Sequence, residues 1–361
     1  MASSTQCRST ASSSRVSFQA EESLSPVAGH VSVALDKLML IWGGYHHGKY
    51  DADKYRNPSL LYVFMTEYNR WLKFTTDGDI PTENCGCCGV LVGAWRHLYV
   101  FGGFFAFDDQ GPESCSLFRL DLARMRWTHV QPKSEQWPTP RHKLVGWEHE
   151  TKLYYFGGFG PPPVPKGPYL TDAGEFVPDD AQFFFPSSWN NQLVCFDLET
   201  EMWSNPRCHG SVPSPRAAHA AVKLSNRDEV ILFGGRHAGY RLNDLYSLDL
   251  NSLLWTKINF GPEPSSFCPV GRSWHCLCEL EPDKLILFGG FTQNNEPLGD
   301  CWTLSLLPDG EWRWLEQEEL NQGKPRLWHT GVSIKRTLYV YGGCTANILL
   351  PPDELDISPL E

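Results

Sequence analysis

Charge is scarce in this chain: only 20% of its 361 residues are Asp, Glu, Lys or Arg, and the balance is acidic, with a formal net charge of −11. That excludes electrostatic attraction to nucleic acid or to an anionic membrane as a main function, because both require a basic surface. Long apolar runs are absent as well, and no stretch reaches the roughly 18 residues of a membrane-crossing helix. About residues 1–24 are Ser-rich and polar with no apolar centre, so they do not read as a secretory signal. The 12 cysteines are therefore expected to be reduced thiols in cytosol or nucleus. Cys85 and Cys88 have the gap of a zinc-ligand pair, but no second pair follows at finger or ribbon distance, and small side chains packed in strands are the preferred reading. Neither the histidines nor the cysteines form a constellation for copper, iron or zinc, and no nucleophile motif or glycine-rich phosphate loop occurs. No cofactor is expected, and an enzymatic reading is weak.

What the chain has in excess is 31 Gly, 27 Pro and 14 Trp. Turn formers and large aromatics favour many short strands over long helices. Length alone suggests two or three units at about 150 residues each, but self-similarity overrides that count. An apolar run ending in Gly-Gly recurs six times, with first glycines at Gly43, Gly102, Gly157, Gly234, Gly289 and Gly342. The intervals are 59, 55, 77, 55 and 53 residues, so one repeat carries a long insertion. A Trp follows each of the first five doublets: Trp71, Trp127, Trp203, Trp255 and Trp312. Before the last three of the six doublets comes an Arg with a His three residues later: Arg216 and His219, Arg272 and His275, Arg326 and His329. A doublet glycine at a period near ~50 residues signals propeller blades, each a four-stranded sheet. The glycines permit positive φ and close backbone approach, the Trp packs blade on blade, and the repeating histidines are framework residues.

With these markers the chain resembles the kelch-repeat family over about residues 28–357, which implies an all-β, six-bladed kelch-type β-propeller. Residues 1–27 are then expected as a disordered Ser-rich N-terminus and 358–361 as a tail. Within the family the chain is similar to the kelch domain-containing substrate receptors of cullin-2 RING ubiquitin ligases, which read glycine-ended C-terminal degrons. The residues that carry this narrower likeness are Arg236, Arg241, Ser273 and Trp274 in their local motifs, Phe233-Gly234-Gly235-Arg236 and Gly271-Arg272-Ser273-Trp274-His275 among them.

Blade connectivity groups the same residues independently. The loop after a second strand and the approach to the next blade's first strand lie on one face of a propeller. Arg236 is expected to open such a loop after its doublet, with Arg241 just before the third strand and Ser273 and Trp274 at the approach to the next blade. Tyr45, Phe104, Phe159, Phe291 and Cys344 follow their own doublets onto this rim, and Lys143, Ala218 and Trp328 stand near first strands. The insertion, Pro-rich after Gly160 and continuing through Phe183, Phe184 and Phe185 to Trp189, is expected to overhang the same face. Two guanidiniums on one short loop repel unless an anion lies between them. A carboxylate accepts charge-assisted bonds from both, with the Ser273 hydroxyl as a third donor and Trp274, Trp189 and Tyr45 as flat walls. The alternative is that the arginines pair with Asp244, which is close to both in sequence.

The resemblance adds Lys143 and Trp189 as pocket residues, and Leu349 and Leu350 as further lining. It also implies a Tyr after the third doublet, where this chain has Phe159, one hydroxyl fewer for a bound peptide. The expected partners are C-terminal peptides of substrate proteins. Elongin B/C and cullin-2 are implied by the resemblance alone, since the relatives' helical docking box has no counterpart pattern before Glu361. The alternative function is a generic kelch scaffold that binds an internal peptide or a folded partner. The sixth repeat shows two clear strands, a third at about residues 354–357 and no closing Trp. A segment such as residues 15–19 is the candidate to complete it, unless the chain is truncated relative to the family.

Overall fold

Apolar runs of five or six residues, cut by Gly, Pro and polar turns, form antiparallel strands. The computed structural model describes residues 18–21, 24–46, 55–104, 113–179, 186–259, 268–320, 324–345, 348–349 and 358–360. Among them the only helical elements are two short 3-10 turns, Gly93–Trp95 and Glu318–Leu320. Blade 1 is built from Val31–Leu35, Leu38–Trp42, Leu60–Met65 and Arg70–Thr75, and blade 2 from Cys88–Val92, His97–Phe101, Leu117–Asp121 and Arg126–Val130. Blade 3 uses Val145–His149, Lys152–Phe156, Leu193–Asp197 and Met202–Ser204, and blade 4 uses Ala220–Lys223, Glu229–His237, Tyr240–Asp249 and Leu254–Ile258. Blade 5 is Cys276–Glu281, Lys284–Thr292, Pro297–Leu306 and Trp312–Glu316, and blade 6 is Thr330–Ile334, Thr337–Tyr341 and Ser358–Leu360. The first strand of each blade touches that of the next, and Thr330–Ile334 touches Val31–Leu35, which closes the circle. The expected six-bladed propeller is what forms.

A ring of backbone hydrogen bonds surrounds the axis. Just before each first strand stands one residue in the left-handed region: Gly29, Gly86, Lys143, Ala218, Trp274 and Trp328, with φ between 53° and 67°. Each gives its N–H to the carbonyl of its counterpart in the preceding blade. Gly86 bonds Gly29 and Lys143 bonds Gly86 (both 2.7 Å), Ala218 bonds Lys143 (2.8 Å), Trp274 bonds Ala218 (2.9 Å), Trp328 bonds Trp274 (3.0 Å), and Gly29 completes the ring on Trp328 (3.1 Å). Left-handed backbone costs a non-glycine residue about 1–2 kcal/mol, and four ring members bear that cost.

The sequence markers pack one blade on the next. The outer-strand Trp of blades 1 to 4 lies against the aromatic that precedes the preceding blade's doublet: Trp71 on Tyr341, Trp127 on Trp42, Trp203 on Phe101 and Trp255 on Phe156, with centroids 5.0–5.3 Å apart. In blade 5 this place belongs to Trp314, 5.0 Å from Phe233, and not to Trp312. The two are separated by one strand period and share a face, so spacing alone does not distinguish them. The histidines use the same aromatics: His219, His275 and His329 meet Phe156, Phe233 and Phe288 edge-on, and His30 meets Tyr341. Burial pushes His219 down to about 3 and His30 and His275 well below the ordinary imidazole value, so they remain neutral. At the blade 4 doublet the need for glycine is steric. A Cβ on Gly234 would lie 3.0 Å from the His275 ring, and one on Gly235 would lie 2.7 Å from His219 Cβ.

The repeating arginines are fully buried struts. Arg216 donates to the Gly234 carbonyl (3.0 Å) and to both carboxylate oxygens of Asp244 (2.7 and 3.0 Å); Arg272 does the same with Gly289 (3.0 Å) and Asp300 (2.7 Å twice). Arg141 is a fourth, unforeseen strut. Its partners are the uncharged Asn190 and Gln192 side chains (3.0 and 2.5 Å), and burial without a carboxylate pushes it down to about 9.

Both expected chain ends need correction. Phe18–Glu21 is a strand, and it pairs with Arg70–Thr75 as a fifth strand of blade 1, so it does not complete blade 6. The third strand of blade 6 is Ser358–Leu360, inside the expected tail; residues 354–357 lie outside the described residues.

Two variants test this frame with opposite signs. Asp300→Ala strands the Arg272 guanidinium and is expected to lower the unfolding free energy by about 3 kcal/mol, read as a lower denaturation midpoint. Ala218→Gly relieves a left-handed alanine and is expected to raise stability by about 0.5–1 kcal/mol.

Candidate functional site

Beyond each doublet the second strand resumes pairing, so the rim consists of three adjoining backbone rows rather than free loops. In blade 4 the strand runs through the doublet with a register shift between Phe233 and Gly235, and Arg236 and Arg241 face each other as cross-strand partners beside the tip residues 237–240. The expectation that Arg236 opens a loop is thereby corrected: a bulge at the glycines carries the strand onward. Every blade repeats the register. The rows are Ala28, Tyr45 and Tyr55 in blade 1; Cys85, Phe104 and Glu113 in blade 2; His142, Phe159 and Trp189 in blade 3; Ala217, Arg236 and Arg241 in blade 4; Ser273, Phe291 and Pro297 in blade 5; and Leu327, Cys344 and Leu349 in blade 6.

These rows and the axial ring bring the sequence candidates together. Arg236 lies over the Trp189 ring (5.8 Å), Trp189 packs on Phe159 (4.9 Å), and the Lys143 amine lies 6.0 Å from Phe159 and 5.6 Å from both Trp274 and Trp328. Arg241 lies over Trp274 and Phe291 (both 5.3 Å), and Tyr45 packs on Trp328 (5.3 Å). The path from Arg236 through Trp189, Phe159, Lys143 and Trp274 to Arg241 thus closes on itself. An axial cavity of about 180 Å³ borders Lys143, Trp274 and Trp328. The insertion contributes a small sheet of Phe159–Gly160, Ser188–Asn190 and Phe176–Pro178, which fixes Trp189. Phe183, Phe184, Phe185 and Leu350 lie outside the described residues, and Leu349 is placed by its backbone pairing with Cys344.

The arginines do not pair with Asp244, which Arg216 has taken. Among the described residues no carboxylate pairs with Arg236, Arg241 or Lys143. Arg236 Nε donates to the Ala238 carbonyl (2.9 Å). Gln293 of blade 5 clips the hairpin, accepting from the Arg241 backbone N–H and donating to the Gly239 carbonyl (both 2.9 Å). Burial and the neighbouring Arg236 push Arg241 down to about 10. Burial chiefly, with the charges of Arg236 and Arg241, pushes Lys143 down to about 8 against the opposing pull of Cys85 and Glu113. Three buried donors beside them, Ser273 Oγ, Trp274 Nε1 and Arg241 Nε, have no hydrogen-bond partner among the described residues. Unpartnered buried atoms occur elsewhere in the blades too, but these three donors lie beside the rim cations, where a ligand could supply acceptors.

Sequence reasoning missed Tyr55, Glu113 and Gln293. Tyr55 and Glu113 occupy the row of Arg241 and Trp189, but the loops that lead to them differ in length, so only the register reveals them.

Comparison with known proteins agrees with this architecture. Residues 29–259 match the KLHDC2/KLHL20/DRC7 Kelch-repeats domain, and residues 183–349 match the Attractin/LZTR1 beta-propeller. Kelch domain-containing protein 2 of Bos taurus is 36% identical over 331 residues, covering 90% of this chain and 77% of that protein. The human protein of that name is 35% identical over the same shares, and Kelch domain-containing protein 1 of Mus musculus is 33% identical over 89% of this chain and 76% of its own length. The chain belongs to the kelch-repeat family, and its propeller is a protein-interaction domain.

Proposed function

We propose that this rim binds the C-terminal carboxylate of glycine-ended peptides, and that the chain selects substrates for a ubiquitin ligase. The observation that carries the reading is the cluster of Lys143, Arg236 and Arg241, three cations gathered without a carboxylate among the described residues, beside the orphan donors of Ser273 and Trp274. Holding like charges together in a partly desolvated site is unfavourable until an anion enters. A chain-terminal carboxylate supplies two acceptor oxygens for the two guanidiniums, and Arg–carboxylate bonds are about twice as strong as neutral ones. The walls are flat aromatic faces: Trp189, Trp274 and Phe159 enclose the cations on either side. Such flat walls suit a chain end without side chains.

In this reading Arg236, Arg241 and Ser273 hold the carboxylate, Lys143 bonds a backbone carbonyl of the peptide, and Trp274, Trp189, Tyr45, Phe159, Leu349 and Leu350 line the pocket. Elongin B/C and cullin-2 are the proposed ligase partners, and the nucleus and cytoplasm the proposed compartments.

A peptide ending in Gly-Gly is expected to bind as the free acid, and amidation of its C-terminus to weaken it at least tenfold in calorimetric titration, about 1.4 kcal/mol. Arg236→Ala and Arg241→Ala are expected to weaken the free acid similarly. Equal binding of acid and amide contradicts the carboxylate clamp and favours a generic scaffold. Phe159→Tyr restores a hydroxyl to the wall and is expected to tighten the free acid about threefold to tenfold.

A further inference from the structure

The rim has a second pole. Glu113 holds in blade 2 the row position that Arg241 holds in blade 4, paired through the backbone to Phe104 as Arg241 is to Arg236. Its carboxyl is partly buried, forms no salt bridge among the described residues, and accepts a hydrogen bond from its own backbone N–H. Burial raises it, while its own backbone N–H and then the Lys143 amine pull it back, so Glu113 and Lys143 act on the same part of the face. Its cross-strand neighbour Phe104 is aromatic, and further rings stand in the adjoining rows. Phe104 stacks on His142 (5.5 Å), and Tyr55, the third-row residue of blade 1, reaches the Cys85 thiol in the first row of blade 2. Tyr45 lies 6.4 Å from Tyr55. A carboxylate beside half-buried aromatic rings is chemistry that can hold an ammonium or guanidinium group.

The two poles fit the two ends of one peptide segment. From Arg241 across Trp274 (5.3 Å) to the Lys143 amine (5.6 Å) and on toward blade 2, an extended chain at about 3.4 Å per residue uses three or four residues. We propose that Glu113 selects peptides carrying Lys or Arg at the third or fourth position from the C-terminus. This rests on the carboxylate reading above and adds to it a specificity-determining residue.

The test is a set of free-acid peptides ending in Gly-Gly, with Lys, Ala or Glu at the third or at the fourth position from the end, titrated into the intact protein. At one of those positions Lys is expected to bind about fivefold to tenfold more tightly than Ala, and Glu more weakly. In Glu113→Gln the ratio of Lys to Ala falls to about one, and in Glu113→Lys the order reverses so that the Glu peptide binds best. Unchanged thermal midpoints show that both variants fold. Equal binding of the three peptides in the unaltered protein, or a Lys preference that survives Glu113→Gln, overturns the proposal. So does a uniform gain for every peptide in Glu113→Gln, which would mean that Glu113 only offsets the charge of Lys143. Loss of the difference between acid and amide is a separate result: it strikes the carboxylate reading, and this inference falls with it.

Discussion

The closed ring of six backbone hydrogen bonds is the constraint on which the rest depends. Each member must present its N–H to one neighbouring blade and its carbonyl to the other, and the left-handed conformation satisfies both. Glycine meets that demand without strain at Gly29 and Gly86, and at Gly29 it is also sterically required, because a Cβ would lie 2.8 Å from the Trp328 indole. The other four members carry side chains in a conformation that disfavours them. Three of these are Lys143, Trp274 and Trp328, so the element that joins the blades also places one cation and two large rings at the centre of the rim. Backbone strain of this kind gathers at functional sites.

Charge is divided between two settings. Within the blades Arg216 and Arg272 are fully buried, yet each is saturated by a bidentate carboxylate and a doublet carbonyl, so removing one partner is costly and the pair itself is inert. On the rim Lys143, Arg236 and Arg241 have aromatic faces and one another, and burial chiefly, with the neighbouring like charges, displaces Lys143 and Arg241 downward. The same residue type is a strut in one place and, in the proposed function, a ligand-binding group in the other; the difference among the described residues is a paired carboxylate. In a chain with a net charge of −11 the acids are plentiful; among the described residues none pairs with these cations, and the Glu113 carboxylate acts on Lys143 without a salt bridge.

Much of this was legible in the sequence, for physical reasons. The doublets announce six blades because positive φ and close approach admit only glycine there, and Arg236 and Arg241 stood out as two cations five residues apart on one rim. Trp314 was hidden because it and Trp312 lie one strand period apart, so a repeat spacing fits either. Arg141 escaped because its partners are amides of an insertion, and His is replaced at its third following position by Leu144. Tyr55 and Glu113 belong to a third row whose members are fixed by cross-strand pairing rather than by distance along the chain. The pairing of Phe18–Glu21 with blade 1 is likewise a long-range choice that local pattern does not encode.

The central claim is that among the described residues no carboxylate pairs with the rim cations, which a ligand carboxylate would do, and the side-chain amine of Lys143 is the group that would respond. Its titration, followed by nuclear magnetic resonance in the intact protein, is expected to centre at about 8 rather than at the ordinary 10.5 and to move upward when a Gly-Gly free-acid peptide binds. A midpoint near 10.5 in the free protein, or one that the peptide leaves in place, would contradict it.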